Sequence, residues 1–347
     1  MPRPDSSAAG MTPPDQRKRI VALTHPMVDI LVACDHKVLS DLGLTPGTYA
    51  TLERVEQDSL LEACSHIQTK IVNGGSAANS VACIHLLGVK ASLMGLAGDD
   101  TFGHHFVDEF KKADINLCNP LVPGARTATC VSLVTPDSER TMRTHLGVSK
   151  NFSESDLDKT AIAESRWLLL EAYFLSASEE NRTALRAALQ HAKASSTLLA
   201  FSTAAEFIVE RFRQELLTDI IPALDLVFAN SSEAKLLTGC TSVEDAFVQL
   251  ASLAPGVIVT DGLRGAHVSF AGARFHQPAF DVGLGAVDST GAGDAFTGTF
   301  LAAITQGLSP QIAARGAARI AAEVVTRQHS RAPDNTQRLF TEAVRKR

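Results

Sequence analysis

Long apolar runs are missing from this 347-residue chain. The nearest approach, residues 167–175, is short and interrupted by Glu171, well below the roughly 20 residues needed to cross a bilayer. No membrane partner is expected. Excess positive charge is missing as well: 32 Lys and Arg against 38 Asp and Glu leave a net charge of −6. A nucleic-acid partner is therefore not expected, because that role normally needs a basic face. The six cysteines (Cys34, Cys64, Cys83, Cys118, Cys130 and Cys240) form no C-x-x-C pair and no zinc-ligand spacing with the eleven histidines. They read as reduced thiols in a cytoplasmic protein. What remains is an ordinary globular composition, 45% hydrophobic and 20% charged, long enough to bury a core without disulfides or a structural metal.

Residues 1–18 carry Pro, Ser and charge but no apolar segment. They read as a mobile tail rather than a secretory signal, and an alternative start at Met11 fits equally well. Beyond them, short apolar runs alternate with helix-length segments, the pattern of a parallel α/β sheet. Strands are expected at 20–23, 92–97, 167–170, 198–201, 226–229, 257–260 and 267–270. Helices are expected at 76–87, 102–113, 179–194, 231–238, 242–253, 292–306 and 310–328. Phe296, Phe300, Ala303 and Ile304 give the 292–306 helix one apolar stripe. Residues 28–56 and 118–148 break the alternation and read as strands and turns without helices, with a hairpin over 129–134 and 141–145. Together they are expected to form one small β-sheet lid. Arg140 and Arg143 could clamp a phosphate from the lid but read rather as exposed hairpin charges, and Trp167 as packed in or beside the main sheet.

Chemistry concentrates in residues 287–300 (VDSTGAGDAFTGTF), where a glycine-rich turn opens into a helix. The N–H groups of Gly291, Ala292 and Gly293 can converge on one spot at the positive end of the helix dipole, which suits an anion. Asp294, in the first helical turn, is a poor phosphate ligand but a well-placed proton acceptor. Residues 73–79 (NGGSAAN) place Gly74 and Gly75 before another helix, with Asn79 offering both donor and acceptor to hydroxyls. Asp29 lies in an apolar strand-like run, where a carboxylate needs a partner such as a vicinal diol. The strand ends Asn230–Glu233 and Thr260–Gly265 lie where open α/β sheets bind ligands. Each feature alone is also compatible with plain helix capping or turn packing.

Taken in order, these motifs resemble the ribokinase-like (PfkB) carbohydrate kinase family over residues 20 to about 328. The matching features are Asp29, the GGSAAN to GDDTFG block (74–103), Asn230-x-x-Glu233, the 260–265 turn and DSTGAGD (288–294). The resemblance implies a Rossmann-like α/β/α three-layer fold with a small β-sheet lid, and a single kinase domain over 19–347. It also implies transfer of the ATP γ-phosphoryl to a hydroxyl with Mg²⁺, as a monomer or homodimer. Asp294 would be the general base, and Gly291, Ala292 and Gly293 the anion hole. Asp29, Gly74, Gly75, Asn79, Tyr49 and Phe174 would bind the acceptor, and Asn230, Thr260, Gly262 and Gly265 would bind ATP. Glu233 would reach Mg²⁺ through water, and Asp288 is a candidate ligand for a monovalent cation such as K⁺.

Residues 173–176 and 204–228 are most similar to the adenosine-kinase branch, and the lid segment 135–147 to its bacterial nucleoside- and sugar-kinase relatives. The implied acceptor is the primary 5′ hydroxyl of a nucleoside, adenosine first; a free sugar such as ribose or a fructose derivative is the alternative. Aromatic residues around the acceptor would favour a nucleobase. Two departures stand out. Thr24-His25 replaces the usual Gly-Asn, and His329-Ser330-Arg331 replaces the Gly-Ala that helps hold a monovalent cation, which counts against K⁺. A catalytically silent binding protein on the same fold would have no chemical need for Asp294.

Overall fold

Apolar residues at successive positions of a short strand are buried only where both faces of the sheet are covered. The computed structural model describes residues 13, 16–281, 285, 288–327 and 330–345. Its strands, in chain order, are β1 (Ile20–Leu23), β2 (Met27–Ala33), β3 (Tyr49–Thr51), β4 (Thr69–Gly74), β5 (Ala91–Met94), β6 (Asn116–Leu117), β7 (Ala128–Val134), β8 (Arg140–His145), β9 (Trp167–Glu171), β10 (Leu198–Ser202), β11 (Leu226–Asn230), β12 (Val257–Thr260), β13 (Ala266–Phe270) and β14 (Ala273–Gln277).

Nine of them form the main sheet, in the order β14-β13-β12-β11-β10-β9-β1-β5-β6. It is parallel from β6 to β12 and ends in an antiparallel β13–β14 hairpin. Side chains alternate between two cores. Val21, Leu23, Leu168, Leu170, Val227 and Val259 point to one. Ile20, Ala22, Trp167, Leu169, Phe228 and Ile258 point to the other. Helices cover both faces, giving three α/β/α layers. The expected strands and helices are present with shifted ends. The strand expected at 92–97 stops at Met94, since Gly95 passes so close to Thr24 that a Cβ there would stand 2.2 Å from its carbonyl oxygen. Within the segment expected as a tail, residues 1–12, 14 and 15 lie outside the described residues. Arg17 is buried and donates to Ser195 O at 3.0 Å and Thr197 Oγ1 at 3.3 Å. Residue 328, expected to end a helix, is also outside them; that helix spans Pro310–Val324. Among the described residues no helix is long and apolar enough to cross a membrane.

A second sheet, ordered β3-β8-β7-β2-β4, draws strands from both interrupting segments and also from β4, which the sequence reading did not assign to it. The β7–β8 hairpin is present and antiparallel. The expectation that these segments lack helices is wrong: helix His36–Asp41 lies within the first, and helix Arg54–Ala63 begins at its end. The reason is that the second helix hides its pattern. Val55 faces solvent while Gln57 faces inward, donating to Thr129 O at 3.0 Å and Arg143 O at 3.2 Å. Ile30, Val32, Leu39, Leu60, Val131 and Leu133 form the small core on that side.

The two arginines of the hairpin are likewise not exposed. Arg143 is buried and donates to Thr48 O at 2.9 Å and Thr48 Oγ1 at 3.0 Å. Arg140 pairs with Asp288.

Candidate active site

Helix Ser76–Leu86 and helix Ala292–Thr305 meet at unusually close range. A Cβ at Gly298 would stand 2.3 Å from Ser80 O, so glycine is what permits the approach. The approach brings three side chains of the first helix to the start of the second. Asp294 Oδ1 accepts from Ser76 Oγ at 2.6 Å, Asp294 Oδ2 accepts from Asn79 Nδ2 at 3.0 Å, and Ser80 Oγ donates to Asp294 O at 3.0 Å. Burial raises the Asp294 carboxyl to about 6 against the lowering effect of the two donors. Asn79 lines the cavity, and its Oδ1 is buried with no hydrogen-bond partner among the described residues.

The turn before Asp294 departs in one respect from the expected anion hole. Ala292 N–H points back to Ser289 O at 3.2 Å, so it does not join its neighbours. Gly291 has φ +82°, and a Cβ there would lie 2.0 Å from Ser330 O; the fold itself requires glycine. Gly293 is different. Among the described residues nothing lies within 4 Å of where its Cβ would stand, so they impose no packing need for glycine at this helix N-terminus. The space it leaves suits a close-approaching anion.

A cavity of about 920 Å³ opens over this point. Of the residues singled out in the sequence, Asp29, Tyr49, Gly75, Asn79, Gly291 and Asp294 line its wall. Asp29 sits on β2 opposite Val72 of β4. Burial raises its carboxyl to about 6, opposed chiefly by the positive charge of Arg140 and then Arg331. Gly74 does not line the cavity. A Cβ there would lie 2.5 Å from both Asp29 carboxylate oxygens, so its role is to leave room for Asp29. Gly75, at φ +91°, caps the Ser76 helix.

Phe174 is misplaced by the sequence reading. It is fully buried in the core, stacked at 4.3 Å on His25, and only His25 reaches the cavity. Burial lowers the His25 imidazole to about 4, and Asn181 Oδ1 lies 2.7 Å from its Nε2, so the ring lines the wall uncharged. The aromatic wall is instead Tyr49, Phe207 and Tyr173. Tyr49 stacks on Phe207 at 5.1 Å and 15°, and Tyr173 tilts against the same ring at 6.5 Å. The chain has two tyrosines, and both line this cavity.

Glu171, at the carboxyl end of β9, is a cavity residue absent from the expected set. It accepts from Ala77 N–H at 2.8 Å, His25 N–H at 3.3 Å and Thr24 Oγ1 at 3.5 Å, and burial raises it to about 7. The signal that singled out Asp29, a carboxylate in an apolar run, applied equally to it.

The expected nucleotide residues gather at the carboxyl ends of β11 and β12, outside the acceptor cavity. Asn230 pairs with Thr260 in register. Asn230 and Glu233 form a capping box: Glu233 N–H donates to Asn230 Oδ1 and Asn230 N–H to Glu233 Oε2, both at 2.9 Å. Thr203 Oγ1 donates to the same Oε2 at 2.5 Å. Gly265 has φ +98° and would clash with Gln277 O if it carried a Cβ, whereas Gly262 faces open space. Among the described residues no cluster of three or more His, Cys, Asp or Glu could hold a metal. An all-protein Mg²⁺ cage is thus not built. A single carboxylate, Glu233, fits an ion held mainly by nucleotide phosphates and water. Asp288 does not fit a monovalent cation: one carboxylate oxygen takes the Arg140 guanidinium and the other takes Thr290 N–H at 2.9 Å. Ser330 lines the cavity and Arg331 pairs with Glu109; His329 lies outside the described residues.

A carboxylate at a helix start beside an open glycine cradle, facing a cavity at the carboxyl edge of a parallel sheet, defines a small-molecule kinase of the three-layer α/β type. The chain belongs to the pfkB family of carbohydrate kinases, which matches residues 50–337. It is 25% identical over 307 residues to an adenosine kinase of Saccharomyces cerevisiae (strain ATCC 204508 / S288c), covering 83% of this chain and 89% of that one. A probable fructokinase-5 of Arabidopsis thaliana is 31% identical over 241 residues, covering 67% and 73%. The crystal structure of adenosine kinase from Sinorhizobium meliloti superposes with a TM-score of 0.86 at 26% identity, covering 94% of this chain and 99% of that one.

Proposed function

We propose that the protein transfers the γ-phosphoryl of ATP to the primary 5′ hydroxyl of a nucleoside, with adenosine as the first candidate. The observation that carries the nucleoside reading is the aromatic wall. Tyr49, Tyr173 and Phe207 offer ring faces for a nucleobase, while Asp29 and Asn79 stand in the same cavity where a ribose can meet them. The adenosine kinases among the relatives agree with it.

In this reading Asp29 accepts hydrogen bonds from the ribose diol, and Gly75 lets the sugar approach the backbone. Asn79 Oδ1, which has no partner among the described residues, accepts from an acceptor hydroxyl. Asp294, held by Ser76 and Asn79, takes the proton of the attacking hydroxyl as the bond to phosphorus forms. The open N–H groups around Gly293 face the charge that grows on the transferred group. Asn230, Thr260, Gly262 and Gly265 hold the nucleotide. Mg²⁺, when bound, neutralises phosphate charge, and Glu233 is placed to orient its water. The small sheet serves as the lid, closing over the acceptor and excluding water.

The test is ADP formation from ATP across a panel of adenosine, other nucleosides, ribose and fructose. The reading expects the highest kcat/KM with a purine nucleoside. A higher value with fructose or ribose would transfer the site to the sugar-kinase alternative that the Arabidopsis relative represents.

A further inference from the structure

Where a free cation was expected, the structure holds a guanidinium. Arg140 opens β8 on the small sheet, and its side chain crosses to Asp288, at the head of the turn leading to Gly291. The two side chains are 11% and 8% exposed. The same Asp288 carboxylate accepts Thr290 N–H at 2.9 Å, and Asp288 N–H is held by Val325 O at 3.2 Å. Asp288 therefore pairs directly with the guanidinium of the small sheet, whose charge also reaches Asp29, and orients the backbone that runs into Gly291 and Gly293. Arg140 lies outside the acceptor cavity. Its permanent charge and planar fork of donors suit a carboxylate better than a hydrated ammonium would. Removing one member of a pair this far from solvent strands the other charge, so the turn cannot keep its arrangement at no cost.

We propose that Arg140 is a tethered cation for the Asp288 turn: a positioning residue that sets residues 290–293 for phosphoryl transfer when the small sheet is seated, and that makes turnover independent of K⁺. The proposal rests on the kinase reading above. It differs from a purely structural ion pair in coupling the acceptor cover to the phosphoryl site, and in filling by a side chain the place where a dissociable ion would stand.

The experiment measures ADP formation with adenosine in potassium, sodium and tetramethylammonium chloride at equal ionic strength. It compares wild type, Arg140→Lys and Arg140→Ala, the last also with millimolar guanidinium chloride, well below denaturing concentrations. Wild type is expected to run at one rate in all three salts. Arg140→Ala should lose on the order of 10²-fold in kcat, the scale of an ångström-sized misplacement. It should recover with guanidinium, and respond to K⁺ where wild type does not; Arg140→Lys should fall between. Hydrogen exchange at residues 290–293 should quicken in Arg140→Ala and slow again with guanidinium, a readout that needs no turnover. Several-fold activation of wild type by K⁺ over tetramethylammonium overturns the proposal. So does an Arg140→Ala enzyme with wild-type kcat, or one whose loss guanidinium leaves unrestored while exchange at 290–293 is unchanged. Should Arg140→Ala fail to fold, the wild-type salt comparison decides alone. Should wild type make no ADP with any acceptor, the kinase reading fails, and the exchange measurement still decides whether Arg140 holds the turn.

Discussion

The two sheets of this protein are held by different means. The main sheet is packed on both faces: Leu168 and Leu170 enter one core, Trp167 and Leu169 the other, and helices cover each. The small sheet has an apolar core on one face only, built from Ile30, Val32, Val131 and Leu133, and even there Gln57 and Arg143 fasten it through hydrogen bonds. Its other face carries Asp29, Cys130 and Tyr49 to the cavity. A two-sided core resists local opening, whereas a one-sided sheet with polar fastenings can move at lower cost. The division of labour follows. In the proposed function the frame holds Asp294 and the glycine cradle still, and the small sheet, as cover, reads the acceptor.

Substitutions that strike one sheet and spare the other test that division. The largest effect is expected in the frame, at the chemistry. Asp294→Asn keeps a side chain of the same shape beside Ser76 and Asn79 but cannot take a proton. Its kcat should fall at least roughly 100-fold, with a thermal melting curve close to wild type. Half of wild-type kcat would remove Asp294 from that role. Next comes the frame's packing. Leu169→Ala leaves a cavity in a fully covered layer and should cost about 2–5 kcal/mol in denaturant unfolding.

Tyr49→Ala in the cover should do the reverse. It should leave unfolding nearly unchanged and weaken adenosine binding by about 1–3 kcal/mol, read as KM or by calorimetry, the range seen when an aromatic ring leaves a base. A sharper comparison would result if KM for ribose were untouched.

A smaller effect comes from pH. Burial lifts the Asp294 carboxyl to about 6, above its ordinary range, so between about pH 4 and 6 it keeps a proton that the unfolded chain has released. Catalysis needs the ionised form; kcat/KM should therefore fall about tenfold per unit below pH 6. Stability moves the other way: this group's contribution declines as pH rises through the same window. Asp29 and Glu171 share the cavity and are raised to about 6 and about 7, so the apparent values belong to the set. An acid limb near pH 4 would mean that the closed cavity does not desolvate Asp294.

The same contrast explains what was legible in the sequence. Aliphatic runs such as IVAL and WLLL announced the main strands because burial on both faces leaves no polar residue to blur them. On helix Arg54–Ala63, which begins within the 28–56 stretch read as strands and turns, Gln57 points in and Val55 points out, so no helical periodicity marks it. The motif residues Asp294, Gly291 and Gly75 were legible because backbone geometry and ligand room leave few alternatives there. Phe174 and Tyr173 are adjacent, and which of the two faces the cavity depends on how helix Tyr173–Ala177 lies on the core. That is a property of packing, not of composition. Arg140 was unreadable for a similar reason: its partner Asp288 lies 148 residues away.

Hydrogen exchange over residues 128–145, followed in the free protein, with Mg-ATP alone and with adenosine alone, bears most directly on the claim that the frame serves the phosphoryl group and the cover serves the acceptor. In the proposed reading adenosine makes its contacts through Asp29 and Tyr49 on the small sheet, so it should slow exchange there by its differential affinity for the seated cover. Mg-ATP, whose proposed residues lie at 230–265 and 291–294 on the frame, should protect that hairpin less than adenosine does, since it reaches the small sheet indirectly, through the Arg140–Asp288 pair. Equal protection by Mg-ATP alone, or none with adenosine, would contradict the division.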